Sequence, residues 1–307
     1  MPPPRRGPRA DGASLEVAVR PAWPHRLPSR GGPDGVMRVR GGVVARLLHV
    51  EGRAVVVHAW RRPDRSVMLR ATAATDRPAG EELGMAIERM RFALGLDDDL
   101  GEFYDRFRGD RLLGPAIRRR PWTRPRRRVW PWEALAWAVT KQLIESPRAA
   151  AIQRRIVRRW GPERNALKDV PDPATIAAVA PAELAAMDLA PSRALSLIKI
   201  AREVAAGRAV LRDPGADRRL LAIPGIGTWT VRCLGLYGRG DPDALPAGDL
   251  GFLKLIGRLA GLGRRAAPEE VEEFFAPYAP FRGLAGTFAL TTYHRVVAEG
   301  PLLRRAA

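Results

Sequence analysis

Between Leu15 and Thr72 the apolar residues alternate with polar ones at the two-residue period of strands: Leu15, Val17 and Val19, then Val36, Met37 and Val39. The same pattern marks residues 43–50, 54–60 and 67–71. Turn-forming clusters separate these runs, among them Gly31-Gly32-Pro33-Asp34-Gly35, Gly41-Gly42, Glu51-Gly52-Arg53 and Arg62-Pro63-Asp64. Short connections join antiparallel neighbours, so the pattern predicts an antiparallel sheet. From Gly80 the period lengthens, and Leu83, Ile87, Met90 and Leu94 share one helical face. A helix over 80–94 is predicted to cover one face of the sheet, with a shorter helix over 100–107 after it.

Residues 118–128 read RRRPWTRPRRR, too rich in proline and arginine for a core element. Two readings stand for this stretch: direct contact with phosphates, or a solvated connection between domains. Beyond Pro131 the pattern is almost wholly helical. Helices are predicted over 132–145, 146–160 (with Pro147 in its first turn), 172–179, 181–187, 192–206, 217–221, 228–237, 250–259, 268–275 and 283–298. The expected fold class is α+β, an N-terminal antiparallel β-sheet with a helix followed by an all-helical domain. The expected boundaries are a disordered tail over 1–12, a sheet/helix domain over 13–110, an Arg/Pro-rich connection over 111–130 and a helical domain over 131–307.

A chain of 307 residues with 46% hydrophobic content can bury a substantial core. Its formal charge of +19 favours a polyanionic partner, because each cation near a phosphate releases condensed counterions. Nucleic acid leads; an anionic membrane surface is the weaker reading, since the arginine runs do not lie on an amphipathic helix. Lys141, Lys168, Lys199 and Lys254 are the only lysines among 52 basic residues, a bias that GC-rich coding also produces. Charge alone therefore decides little. One cysteine, Cys233, excludes an intramolecular disulfide and the cysteine sets of structural zinc or iron–sulfur clusters. No apolar run follows the basic N-terminus, and none reaches the length of a membrane helix, so a cytoplasmic, nucleoid-associated protein is expected.

The sharpest local feature is residues 220–231, LLAIPGIGTWTV: a helix end, a glycine-containing tight turn and a new helix start. Gly225 and Gly227 let the backbone turn sharply and approach another surface, and Thr228 is placed to cap the next helix. Free amides at that helix start suit a phosphate oxygen. An ordinary helix–helix turn has the same sequence. The second feature is Leu245-Pro246-Ala247-Gly248-Asp249-Leu250, where Asp249 opens another apolar helix and on its own reads as an N-cap.

The two features together, twenty positions apart from Trp229 to Asp249, resemble the hairpin and Gly/Pro-loop-Asp signature of the helix-hairpin-helix (HhH-GPD) DNA glycosylase superfamily. The match is nearest to the AlkA-like DNA-3-methyladenine glycosylase II branch. Trp229 stands where strand-nicking members carry a Schiff-base lysine, the cysteines of iron–sulfur relatives are missing, and a sheet precedes the helical domain. The resemblance implies a monofunctional N-glycosylase in base excision repair, without lyase activity. It makes Asp249 catalytic and places Trp229, Leu250 and Leu290 at the base pocket. Gln142, Leu143, Gly225, Ile226, Gly227, Thr228 and Thr230 fall at its DNA-binding positions. It implies no required cofactor and no iron–sulfur cluster, although hairpins of this family can hold a sodium or potassium ion, here on the main-chain carbonyls of Leu221, Ile223 and Ile226. The implied partner is double-stranded DNA containing a damaged base, bound by a monomer.

Residues 132–144, WEALAWAVTKQLI, are similar to the family helix ending in Gln-Leu, which makes Leu143 either the wedge that fills the gap left by a flipped nucleotide or a core residue. Trp229 is likewise either a pocket or a core residue. Other aromatics that surround the base in AlkA-type enzymes align with Cys233, Leu250 and Leu290, and Lys141 stands where many relatives have a small residue. Tyr293-His294 has no clear counterpart, and Arg282 is equally a structural or a phosphate-binding residue. The expected substrate is an alkylated purine of the 3-methyladenine type in duplex DNA. Excision of a deaminated, oxidised or bulkier base, and a non-catalytic DNA-binding relative, remain as alternatives.

Overall fold

The computed structural model describes residues 13–74 and 80–292. The predicted tail over 1–12, the predicted helix beyond Thr292 and the pair Tyr293-His294 lie outside them. Five strands, β1 (Ser14–Val19), β2 (Met37–Arg40), β3 (Val43–Val50), β4 (Arg53–Arg61) and β5 (Val67–Ala73), form one antiparallel sheet in the order β1-β5-β4-β3-β2. Helix α1 (Glu81–Leu94) buries Leu83, Ile87, Met90 and Leu94 against Val55, Val57, Leu69 and Ala71 of the sheet, as their spacing requires.

The rest of the described chain is helical except for a small hairpin. Helices α2 (Gly101–Phe107) and α3 (Leu113–Arg119) lead into α4 (Pro131–Lys141) and α5 (Ser146–Trp160). The hairpin β6 (Glu163–Arg164) and β7 (Leu167–Lys168) follows, then α6 (Pro173–Ala178), α7 (Pro181–Ala186), α8 (Pro191–Ala205), α9 (Ala216–Leu221) and α10 (Thr228–Cys233). A π-helical turn over Leu234–Arg239 continues α10, and α11 (Leu250–Leu259), α12 (Pro268–Phe275) and α13 (Arg282–Leu290) complete the fold, an α+β architecture. No helix among the described residues is long and apolar enough to cross a membrane.

The helices build two cores. One gathers Leu135, Val139, Ile152, Leu197, Leu220, Ile226, Val231 and Leu234, so α4, α5, α8, α9 and α10 share it. The other gathers Phe103, Phe107, Leu113, Ile117, Leu245, Phe252, Phe275 and Phe288. Helices α2 and α3, expected in the N-terminal domain and the connection, thus pack on α11–α13. Their apolar residues recur at helical spacing, and Phe103 stacks at 5.2–5.7 Å on Phe107, Phe281 and Phe288. The α9–α10 hairpin belongs to the first core and the segment leading to Asp249 to the second.

Part of the arginine-rich stretch is a packed strap, and neither phosphate contact nor a solvated connection describes Arg124, Arg127 and Arg128. Arg124 and Arg127 both pair with Asp98, and Arg128 reaches Asp34 at 2.7 Å and Glu133 at 3.1 Å. These side chains are committed inside the protein, which leaves Arg118, Arg119, Arg120 and Arg126 exposed.

Candidate active site

Helix α4 predicted to Glu145 ends at Lys141, because the backbone turns at Gln142 and then enters the left-handed region at Leu143, with φ +57°. A residue other than glycine is strained there by about 1–2 kcal/mol. Leu143 is also fully exposed, at 102% of its reference area, which rules out the core reading. A bulky apolar side chain in water on a strained backbone is unfavourable for the isolated protein and suits a residue that inserts into something else.

Gln142 fastens this corner to the hairpin. Its Nε2 donates to the Gly225 carbonyl and to Thr230 Oγ1, both at 2.9 Å, and its own main-chain carbonyl accepts from Arg193 Nη1 at 2.7 Å. Thr230, expected on the DNA face, is 1% exposed with its hydroxyl engaged by Gln142, so it positions its neighbour and does not meet a phosphate directly. Ile226 is likewise buried, leaving Gly225, Gly227 and Thr228 as the exposed ones among the hairpin positions expected to bind DNA.

The turn itself runs Ile223-Pro224-Gly225-Ile226, closed by the Ile226 amide donating to the Ile223 carbonyl at 3.0 Å. Pro224 presets its own φ, and Gly225 supplies the positive φ of 83° that the next turn position needs. A Cβ at Gly225 would also fall 2.5 Å from Ser196 Oγ, whose hydroxyl lies 2.8 Å from the Pro224 carbonyl. The predicted Thr228 cap is not formed: Gly227 occupies the N-cap position of α10, and no side chain bonds the first-turn amides.

Asp249 is the N-cap of α11, with Oδ1 accepting the Gly251 amide at 2.8 Å, and it remains half-exposed. Its loop is clamped from two sides by close approach. A Cβ at Gly235 would stand 2.7 Å from Ala244 Cβ, and one at Gly283 would stand 2.3 Å from the Ala244 carbonyl oxygen. Arg282 holds the same loop, donating from Nε and Nη2 to Asp243 at 2.9 and 2.5 Å. That bidentate pair resolves its role as structural here, and the Arg282 bonds hold the Asp243 carboxyl below its ordinary range.

Both sides of Asp249 carry predicted pocket residues. A Cβ on Gly248 would lie 3.6 Å from Trp229 Cβ and Cδ1, and one on Gly251 would lie 3.1 Å from Asp249 Oδ1 and 3.2 Å from Leu290 Cδ2. Trp229 therefore lies against the loop at Gly248, Leu290 lies near the carboxylate from the second core, and Leu250 is 38% exposed beside it. Trp229 is half-buried, and its Nε1 is buried with no hydrogen-bond partner among the described residues.

Trp229, Cys233 and Tyr237 recur at four-residue intervals on one face of α10 and its π-helical continuation. Burial pushes the Cys233 thiol well above its ordinary value; the Lys141 ammonium opposes that shift and the Asp249 carboxylate adds to it, so both charges act on this thiol. Tyr237 is shifted upward in the same way, by burial first and then by Cys233 and Asp249. The sequence reading missed Tyr237 and Arg193. The four-residue spacing after Trp229 could have found Tyr237, whereas Arg193 reaches Gln142 only through the fold. Among the described residues no group of three or more His, Cys, Asp or Glu is placed to hold a metal.

The HhH-GPD superfamily of base excision DNA repair proteins matches residues 136–280, a span that includes the Gln142 corner, the hairpin and Asp249. The chain is 28% identical over 277 residues to a "Probable bifunctional transcriptional activator/DNA repair enzyme AlkA" of Mycobacterium tuberculosis, covering 87% of this chain and 53% of that one. It thus spans about half the length of that relative. A "DNA-3-methyladenine glycosylase" of Bacillus subtilis is 30% identical over 210 residues, covering 64% of this chain and 67% of that one. Among solved structures, a 3-methyladenine DNA-glycosylase from Archaeoglobus fulgidus superposes with a TM-score of 0.76 at 23% identity, over 92% of this chain and 99% of its own. With a five-stranded sheet, a helical domain, the Gln142-anchored hairpin and Asp249 in their expected order, this chain belongs to the HhH-GPD superfamily of base excision DNA repair proteins.

Proposed function

We propose that this protein is a DNA glycosylase that hydrolyses the N-glycosidic bond of alkylated purines in duplex DNA, without cutting the strand. The observation that carries the reading is the half-exposed Asp249 carboxylate on a clamped loop, with Trp229 against Gly248 before it and Leu290 against Gly251 after it. Breaking the C1′–N bond develops positive charge on the deoxyribose, and a fixed carboxylate beside it stabilises the transition state more than the ground state. Oδ1 is already held by the α11 amide, which fixes the carboxylate's orientation. Asp249 is also placed to orient or deprotonate the attacking water. The name of the B. subtilis relative supports 3-methyladenine-type lesions as the substrate class.

In this reading the exposed hairpin residues Gly225, Gly227 and Thr228 hold the DNA backbone, and the net charge of +19 supplies sequence-independent affinity. Leu143 enters the duplex as the nucleotide leaves, offsetting part of the few kcal/mol lost on unstacking. Trp229 stacks on the flipped base, and a cationic purine would gain about 0.5–2 kcal/mol from the ring. Trp229 in place of a lysine leaves no amine at that position to attack the sugar, which supports hydrolysis without lyase chemistry. We retain a monovalent cation on the carbonyls of Leu221, Ile223 and Ile226 as part of the proposal. The donors are acceptor-only main-chain oxygens, and Ile223 keeps a lone pair beyond its bond to Ile226, so the set fits a hard ion that would stiffen the turn. We further propose action as a monomer on damaged duplex DNA, with no other cofactor required.

A second reading, excision of a different lesion, is favoured by Cys233, Leu250 and Leu290 at positions that are aromatic in AlkA-type relatives. Base release from a panel of single-lesion duplexes by wild type and Asp249→Asn tests both. Free base and an alkali-labile, uncut abasic site from wild type, with binding but little release from Asp249→Asn, are expected. Full release by Asp249→Asn would overturn the role of Asp249; binding without release by either protein would make this a non-catalytic DNA-binding relative.

A further inference from the structure

Helix α4 lies antiparallel along α10 and its π-helical continuation. At one end a Cβ on Gly238 would stand 3.0 Å from Ala134 Cβ and 3.1 Å from Pro131 Cα; at the other, Gln142 bonds Thr230. Residues 131, 134, 138 and 141 fall on one face of α4 by helical spacing, so the buried stripe of Pro131, Ala134 and Ala138 ends in Lys141, level with Trp229 and Cys233. Small residues let the helices approach along this stripe, and the lysine stands where the packed face opens at the site. Lys141 is half-buried, and its ammonium makes no hydrogen bond or ion pair among the described residues. Lys168, by contrast, pairs with Glu163 at 2.9 Å. The Lys141 charge acts on the same buried thiol that feels Asp249. A cation left unpaired at the mouth of a site with a carboxylate is positioned for a group that arrives with the substrate.

We infer that Lys141 is a specificity-determining residue: its ammonium donates a hydrogen bond to an acceptor on the departing base, favouring neutral purines with a carbonyl or ring-nitrogen acceptor over purines that are already cationic. The inference rests on the glycosylase reading and moves its preferred substrate within the purines. As the C1′–N9 bond breaks, its electron pair goes to the purine and water adds to C1′, its released proton passing to Asp249 and on to solvent. A neutral purine becomes anionic at that moment, and the Lys141 N–H stabilises this charge while keeping its proton, solvent later protonating the freed base. An N-alkylated cationic purine leaves as a neutral molecule, so relative to free DNA its transition state gains little from the contact, while in the bound ground state the ammonium repels it and weakens binding.

The test is the apparent second-order rate of base release, at sub-saturating enzyme, from two duplexes, one with hypoxanthine (neutral, with a carbonyl acceptor) and one with 7-methylguanine (cationic), by wild type, Lys141→Met and Lys141→Arg. Lys141→Met should lower hypoxanthine release at least ten-fold while leaving 7-methylguanine release unchanged or faster, and Lys141→Arg should restore most of the hypoxanthine rate. Losses in equal proportion on both bases would assign Lys141 to a phosphate or to the fold, and no change on either would remove it from the site; each overturns the inference alone. No release of either base by wild type would instead overturn the glycosylase reading, and the inference with it. Circular-dichroism melts of the variants separate these outcomes from misfolding.

Discussion

The Gln142 side-chain amide donates to the Gly225 carbonyl at 2.9 Å, tying the corner that presents Leu143 to the turn that presents the exposed hairpin backbone. Two surfaces that meet the same duplex in the proposed function are thus held in fixed register by one side chain, which also bonds the buried Thr230 hydroxyl. Gln142→Ala removes both bonds, each worth about 1 kcal/mol, and should weaken lesion binding and slow base release together. Gln142→Glu should be worse than Ala, because a carboxylate oxygen would face the Gly225 carbonyl where a donor is needed. Duplex affinity and single-turnover rates of the two variants check the order, and a Glu variant as active as wild type would refute this account.

Leu143 makes a prediction of opposite signs. Its φ of +57° is costly for leucine and easy for glycine, while its side chain contributes no burial to the isolated protein. Leu143→Gly should therefore melt at the same or a higher temperature than wild type, yet release a duplex lesion at least ten-fold more slowly. A lower melting temperature with unchanged release would show that the side chain serves the fold.

Much of this is legible in the sequence. Strand alternation and helical spacing located the sheet, α1 and most helices, because each half-buried element carries its burial pattern in its own residues. Asp249 and the hairpin were legible as a pair, since turn chemistry and cap chemistry are local. What escaped was set by partners distant in sequence. Thr230 looked available until Gln142, on another helix, took its hydroxyl. Helix α2 reads as part of the N-terminal domain, yet Phe103 and Phe107 pack with the α11–α13 core. Lys141 read as a departure from the family, and its position against Cys233 emerged only when α4 packed on α10. Helix α3 went unrecognised because its apolar residues lie beside the arginine run.

Arg46 shows the same limit and supplies a third prediction. It sits between Val44 and Leu48 on the core-facing side of β3, yet it is buried, and its guanidinium forks onto Glu133 of α4 at 2.7 and 3.3 Å. Glu133 is 0% exposed, and Arg128 is its further partner at 3.1 Å. Removing Arg46 leaves Glu133 with Arg128 alone and takes the partner at 3.5 Å from the buried Asp169, so Arg46→Met should cost up to about 3–5 kcal/mol. The double variant Arg46→Met/Glu133→Gln should recover more than half of that loss. Denaturant melts measure both, and additive losses would mean that the pair does not act as a unit.

Burial also governs how stability should vary with pH. His25 is buried, its Nε2 lies 2.8 Å from the Leu94 carbonyl, and burial lowers its pKa, with Arg124 and Arg61 acting in the same direction against the Leu94 bond. His58 is lowered as well, by burial and then by Arg70. In the folded chain both rings resist protonation, whereas in the unfolded chain they take up a proton below about pH 6.5. Protons therefore favour the unfolded state as pH falls from 6.5 toward the lowered folded values, and stability is lost across that window and fully kept above it. Each ring can contribute a slope of up to about 1.4 kcal/mol per pH unit there. Urea melts from pH 7.5 to 5 should show the decline in wild type and a shallower one in His25→Gln/His58→Gln, a substitution that keeps an amide donor able to reach the Leu94 carbonyl. Identical slopes in the two proteins would place the acid sensitivity in other groups.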